Sequence, residues 1–202
     1  LVLMKNERLA TLATHLDERT RDLTLTPPDG APVVGCLETP EGRRRIEAFL
    51  DAFMADEARG PTKVLSSPGF SFSDVADRVV HLINLASVRA LETWIGQPVD
   101  PGRFRANVII DGVEPFAELD WVGAPVEIGA ARLVVTKRTE RCAATNVDPV
   151  TGARDLTLPR SLMGLFGHTD FGVYLRVTKG GEIATGDRVT VGVASEASGL
   201  PF

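Results

Sequence analysis

Apolar residues alternate with polar ones along parts of this chain and recur every three to four positions along others, and the change of period marks its elements. Leu23 and Leu25 alternate with Asp22, Thr24 and Thr26; Pro27-Pro28-Asp29-Gly30 then breaks the chain before Val33-Val34, which predicts a β hairpin. Ile46, Phe49, Leu50, Phe53 and Met54 repeat at helical spacing, with Thr39 suited to the N-cap, Pro40 to the first turn and Gly60-Pro61 to the stop. Arg43-Arg44-Arg45 opposes the dipole of that helix start and reads as a solvated face. Residues 63–77, rich in Ser, Pro, Gly and Phe, are expected to form a long loop. Ser66-Ser67-Pro68-Gly69 within it lacks the lysine and glycine spacing of a phosphate loop. A strand over 79–83 follows, then a short helix carrying Val88, Leu91 and Ile95, capped by Ser87 and ended by Gly96.

From Arg103 onward the pattern is almost entirely strand-like. Residues 104–110 lead into an Asp111-Gly112 turn, and 126–129, 133–135, 172–177 and 187–191 repeat the motif, with Gly180-Gly181 as a further turn. Many short strands with few helices predict a mainly β (α+β) fold, as a barrel or a sandwich. Closure of a barrel would set Arg103 and Arg105 opposite Arg138 and Arg141, a guanidinium pocket able to grip a phosphate; singly, each arginine reads as a surface ion-pair partner.

Composition narrows the classes. A chain of 202 residues makes one large or two small domains, and folding at this size buries roughly 70% of the extended surface. The net charge of −5 and isoelectric point near 5.3 argue against a nucleic-acid binder or a polybasic membrane-surface protein. Cys36 and Cys142 match no zinc spacing and no disulfide framework, which points to a reducing cytoplasm. The apolar start Leu1-Val2-Leu3-Met4 meets Lys5, Asn6, Glu7 and Arg8 at once, so neither a signal segment nor a membrane span is expected there.

The chemistry concentrates at T-E-R-C-A-A-T-N-V-D-P-V-T-G, residues 139–152. Cys142 follows Arg141, and a neighbouring cation favours the thiolate that acts as nucleophile or soft-metal ligand. Asp148-Pro149 and Thr151-Gly152 are turn formers, placing the cysteine where a strand runs into a loop. Two readings stand at this point: a working thiol, or a small residue filling the core. Ser87 at the start of its helix offers an anion site or merely a cap. His15, His81 and His168 lack ligand spacing and read as core or surface histidines, and His168-Thr169-Asp170 is too local for a hydrolytic triad. Glu114, Glu118 and Asp120, around Phe116 and Trp121, read as loop structure.

The series R-F-R-A-N (103–107), P-F-A-E-L-D-W (115–121), E-R-C-A-A-T-N-V-D-P-V-T-G (140–152), F-G-V-Y (171–174) and G-E-I-A-T-G-D-R-V (181–189) resembles the MOSC domain, the C-terminal domain of molybdenum cofactor sulfurases and its relatives, the amidoxime-reducing components among them. The resemblance implies a MOSC-type β barrel with a few short helices over 61–202. Residues 1–60 resemble part of the β-rich module with one helix that precedes it in longer members, its opening missing. By the same resemblance Cys142 is the molybdenum ligand or sulfur carrier and Arg141 accompanies it. Arg105 and Asn107 lie at the pterin phosphate and ring, Ser87 at the anion-binding helix start, and Tyr174 in the pocket.

Functionally, the resemblance implies a molybdenum-pterin cofactor (Moco) and the reduction of small N-hydroxylated substrates, with electrons from a separate flavin or iron–sulfur protein. The alternatives are sulfur transfer through a Cys142 persulfide and a non-catalytic binding module. The N-terminal module favours the reductase, and a pyridoxal-phosphate desulfurase domain, which would favour sulfur transfer, is not expected. Neither a nucleic acid nor a membrane is an expected partner, and the expected location is cytoplasmic.

Overall fold

A computed structural model describes residues 1–69 and 77–194. It divides into two compact units: residues 1–70 with 143–156, and residues 71–142 with 157–202. No described helix is long and apolar enough to cross a membrane.

In the first unit, the predicted hairpin is part of a three-stranded antiparallel sheet, β1 (Ala13–Leu16), β2 (Asp22–Thr26) and β3 (Val33–Cys36). Helix α1 (Pro40–Met54) starts as its sequence dictates: Thr39 is extended and its hydroxyl accepts from the Gly42 amide at 3.1 Å. Gly42 lies against the Cys36 backbone, where a Cβ would clash, so the helix packs directly on β3. The helix stops at Met54, short of the expected Gly60-Pro61, because Ala55 takes φ +43° and leads into a 3-10 turn. Segment 143–156 carries the turn expected at Asp148-Pro149. The Asp148 carboxylate accepts from the Val150 and Thr151 amides at 2.9 and 2.7 Å, and Val147 bridges Arg154.

Among its described residues the second unit has one mixed sheet and two α-helices. Its elements are β4 (Val80–Asn84), α2 (Leu85–Ile95), β5 (Val108–Ile110), β6 (Pro125–Ile128), β7 (Ala131–Glu140), α3 (Leu158–Phe166), β8 (Asp170–Lys179) and β9 (Val189–Val191). The strand order is β5-β4-β8-β7-β6-β9; β4 and β5 pair in parallel, with α2 as their crossover, and the other described pairs are antiparallel. Leu82, Ile110, Val126, Ile128, Leu133, Val135, Val173 and Leu175 bury into one cluster with Leu119, and Val189 and Val191 of the far edge pack against it. A single sheet that wraps its own core curls, and the expected barrel is here a half-barrel whose ladder runs from β5 to β9 without closing among the described residues.

The structure corrects the sequence-based boundaries in two places that bear on the site. Asn84, not Ser87, caps α2: its backbone is extended and its side-chain oxygen accepts from the Ala86 amide at 3.0 Å. The strand expected over 104–110 begins only at Val108, because Pro101–Phe104 form a 3-10 turn and Arg105 sits in the left-handed region, φ +53° and ψ +41°. Residues 63–69 lack regular structure, as expected for the loop over 63–77, while its residues 70–76 lie outside those described.

Candidate functional site

Strand β7 ends at Glu140, and the next amide, that of Arg141, donates to the Thr169 carbonyl at 3.0 Å, so the chain stays tied to the entry of β8 just before the cysteine. Cys142 is exposed, which removes the core-filling reading. The Arg141 side chain turns inward. Its Nη2 donates to the Phe104 carbonyl at 2.8 Å, its Nη1 lies 3.2 Å from His81 Nε2, and its guanidinium sits 5.5 Å over the Phe104 ring. Its Nε is buried without a hydrogen-bond partner among the described residues. Burial holds the Arg141 cation below its ordinary value, opposed by the negative forms of Tyr174 and Cys142.

His81, on β4, is the residue around which these groups meet. It is 6% exposed. Arg141 is always a donor, so His81 Nε2 accepts and the ring proton resides on Nδ1. Burial, then the Arg141 charge, push the imidazole down to about 4, against the backbone carbonyls of Phe171, Arg105 and Phe104. Asn107 brackets the His81 backbone from the link into β5: its Oδ1 accepts from the His81 amide and its own amide donates to the His81 carbonyl, both at 2.9 Å. Tyr174 is the register partner of His81 on β8, their rings 5.5 Å apart, and Lys137 Nζ lies 5.6 Å over the tyrosine ring. Gly172, φ +79°, makes this approach possible: a Cβ there would lie 2.5 Å from the Leu82 carbonyl oxygen and 2.9 Å from His81 Nε2.

Of the residues singled out in the sequence, Arg141, Asn107 and Tyr174 thus converge on His81. Arg105 is exposed at the same link. Ser87 does not join them. It is fully buried inside α2, its hydroxyl 2.9 and 3.0 Å from the two carboxylate oxygens of Glu118 and accepting from the Phe116 amide at 2.8 Å. Asn84 Nδ2 donates to the same carboxylate at 3.2 Å, and burial pushes the Glu118 carboxyl up. The four-arginine pocket forms only in part. Arg141 reaches the 103–105 turn, while Arg138 is held by the Leu119 carbonyl at 2.8 Å and by Asp120 at 3.0 Å. His81 and Glu118 were missed as organisers; the signal for His81 was a histidine set within the apolar run V-V-H-L-I. No group of three or more His, Cys, Asp or Glu with metal-holding geometry occurs among the described residues.

Comparison with known proteins gives one family. The sequence model of the MOSC domain matches residues 61–190. The chain is 32% identical over 122 residues to mitochondrial amidoxime-reducing component 1 of Xenopus laevis, covering 54% of this chain and 35% of that protein. It is 39% identical over 85 residues to molybdenum cofactor sulfurase of Danio rerio, covering 42% of this chain and 10% of that protein. The chain therefore spans only a minor part of these relatives. Among solved structures, YiiM from Geobacillus stearothermophilus aligns at 21% identity and a TM-score of 0.45, over 56% of this chain and 54% of that one.

Proposed function

This chain belongs to the MOSC domain family, and from that premise we propose that it is a molybdenum-cofactor-dependent reductase of N-hydroxylated compounds in which Cys142 is the metal ligand. The observation that carries the reading is an exposed thiol directly after an arginine whose guanidinium is fixed by a carbonyl and an imidazole. The residues fit the group. A thiolate is a soft ligand suited to molybdenum, an oriented guanidinium suits a pterin or its phosphate, and the buried Arg141 Nε–H is a donor without an acceptor among the described residues. When bound, the molybdenum-pterin cofactor would supply two-electron chemistry, by which an N–O oxygen leaves as water with the uptake of two electrons and two protons.

The chain's own residues hold and orient. Cys142 provides the thiolate, Arg141 a fixed positive charge, Arg105 an exposed cation on a tight turn, and Tyr174 a phenol under Lys137. Asn107 keeps the link before β5 in register with His81. A separate flavin or iron–sulfur protein is the proposed electron donor, since two-electron reduction needs a source of electrons. Amidoxime-type substrates follow from the names of the amidoxime-reducing relatives. The sulfurase similarity favours a second reading, in which Cys142 carries a persulfide.

Metal and pterin analysis of protein made in a cofactor-competent host tests this. Stoichiometric molybdenum in the wild type and its loss in Cys142→Ala is the expected result. Equal molybdenum in both would sink the ligand assignment, and metal-free protein with cyanide-labile sulfur on Cys142 would transfer the proposal to sulfur carriage.

A further inference from the structure

His81 has no part in the reaction as proposed, yet it is the buried residue that Arg141, Asn107 and Tyr174 all touch. We propose that His81 is a positioning residue: its Nε2 accepts from Arg141 Nη1 and so fixes the guanidinium plane beside Cys142. This rests on the reading of Arg141 and Cys142 as the cofactor-facing pair.

The geometry defines the arginine on three sides. Nη1 meets His81 at 3.2 Å, Nη2 meets the Phe104 carbonyl at 2.8 Å, and the Phe104 ring lies beneath at 5.5 Å. Phe104 is itself stacked on Phe171 at 4.0 Å, so the platform is rigid. The imidazole is equally constrained, by Asn107 on both backbone polar groups, by the Tyr174 ring, and by the close backbone of Gly172. The charged or titratable groups facing it are Arg141 from the end of β7 and Tyr174 from β8, while the link before β5 meets it with the backbone of Arg105. Only the neutral ring can serve, since an imidazolium would present a donor and a charge to a cation. Removing the acceptor would take from the part-buried Nη1 its His81 partner, beside an Nε that has none among the described residues, and the long side chain would regain its rotamer freedom.

The test reads the guanidinium directly. In isotope-labelled protein without cofactor, the wild type should give resolved, slowly exchanging Arg141 Nη–H resonances. His81→Leu should merge or lose them, and His81→Gln, whose carbonyl oxygen restores an acceptor, should regain them. In the cofactor-loaded protein, His81→Leu should retain about tenfold less molybdenum per chain at matched folding, with recovery in His81→Gln. Unchanged Arg141 resonances in His81→Leu would overturn the proposal. Should the leucine variant fail to fold, His81→Asn replaces it: its shorter amide cannot reach, so resonances as sharp as in His81→Gln would equally overturn it. A wild type that retains no molybdenum yet shows His81-dependent Arg141 resonances would leave the positioning in place and remove the cofactor reading.

Discussion

At the scale of single residues, a neutral histidine against a buried arginine makes the protein's stability depend on pH in a definite direction. The His81 imidazole falls from 6.5 to about 4 on folding, so between those values the unfolded chain binds more protons than the folded one. Its contribution is complete above pH 6.5 and is lost as pH falls toward 4, a change of about 3 kcal/mol. Glu118, whose carboxyl burial holds up, has the opposite slope. The comparison is therefore between wild type and His81→Gln: denaturant unfolding should show the acid loss in the first and little of it in the second. Parallel curves would show that the imidazole does not carry it. Gly172→Ala adds a Cβ at 2.5 Å from the Leu82 carbonyl oxygen in a left-handed backbone, and should cost about 2–4 kcal/mol in the same measurement. Cys142 and Arg141 were legible as a site because they are adjacent and their chemistry is local. His81 was not, because Asn107 and Arg141 are 26 and 60 residues away and only the sheet brings them to it.

Among the elements, those whose signals are local came through and those that depend on a distant partner did not. Helix α1 was readable from Thr39 and Pro40, since cap and first turn are chain neighbours. The start of α2 was displaced because Asn84 and Ser87 are both capable of capping, and a buried Glu118 from a 3-10 turn 31 residues later claims the serine hydroxyl. Strand β1 gave no apolar alternation to read, all four of its residues being exposed. The 104–110 strand lost its first half to the left-handed turn at Arg105, a conformation that apolar spacing does not encode. The Asn84–Ser87–Glu118 network now makes its own prediction. Glu118 is 0% exposed and accepts from both side chains, so Glu118→Ala leaves buried donors and a cavity at a cost of about 3 kcal/mol. Glu118→Gln keeps the shape and an acceptor, and should lose clearly less. Thermal unfolding of the two variants decides it, and equal losses would mean that the second acceptor oxygen, which the amide lacks, carries the whole effect and the filled volume none.

For the molecule as a whole, the motif that carries the cysteine is divided between units: the chain up to Cys142 belongs with the half-barrel, and residues 143–156 belong with residues 1–70. The family match over 61–190 runs across that division, so linear position was a poor guide to which residues fold together. Within the first unit, Arg154 ties the returning segment down. Its Nη2 donates to the Met4 carbonyl at 2.7 Å and pairs with Glu7 at 3.1 Å, and its Nη1 donates to the Ala143 carbonyl at 3.1 Å. Gly152 adds a close contact, with the space for its Cβ 3.1 Å from Thr11. Loss of the Arg154 guanidinium should therefore loosen a folding unit that is discontinuous in sequence. Hydrogen exchange of Arg154→Ala is expected to accelerate roughly tenfold at amides of 1–11 and 143–156 together, while those of β4, β7 and β8 keep their wild-type rates. Acceleration confined to 143–156 would mean that the returning segment is only a loop of the half-barrel chain. Coupled acceleration of both stretches would establish that the residues following the cysteine are stabilised by the N-terminal unit.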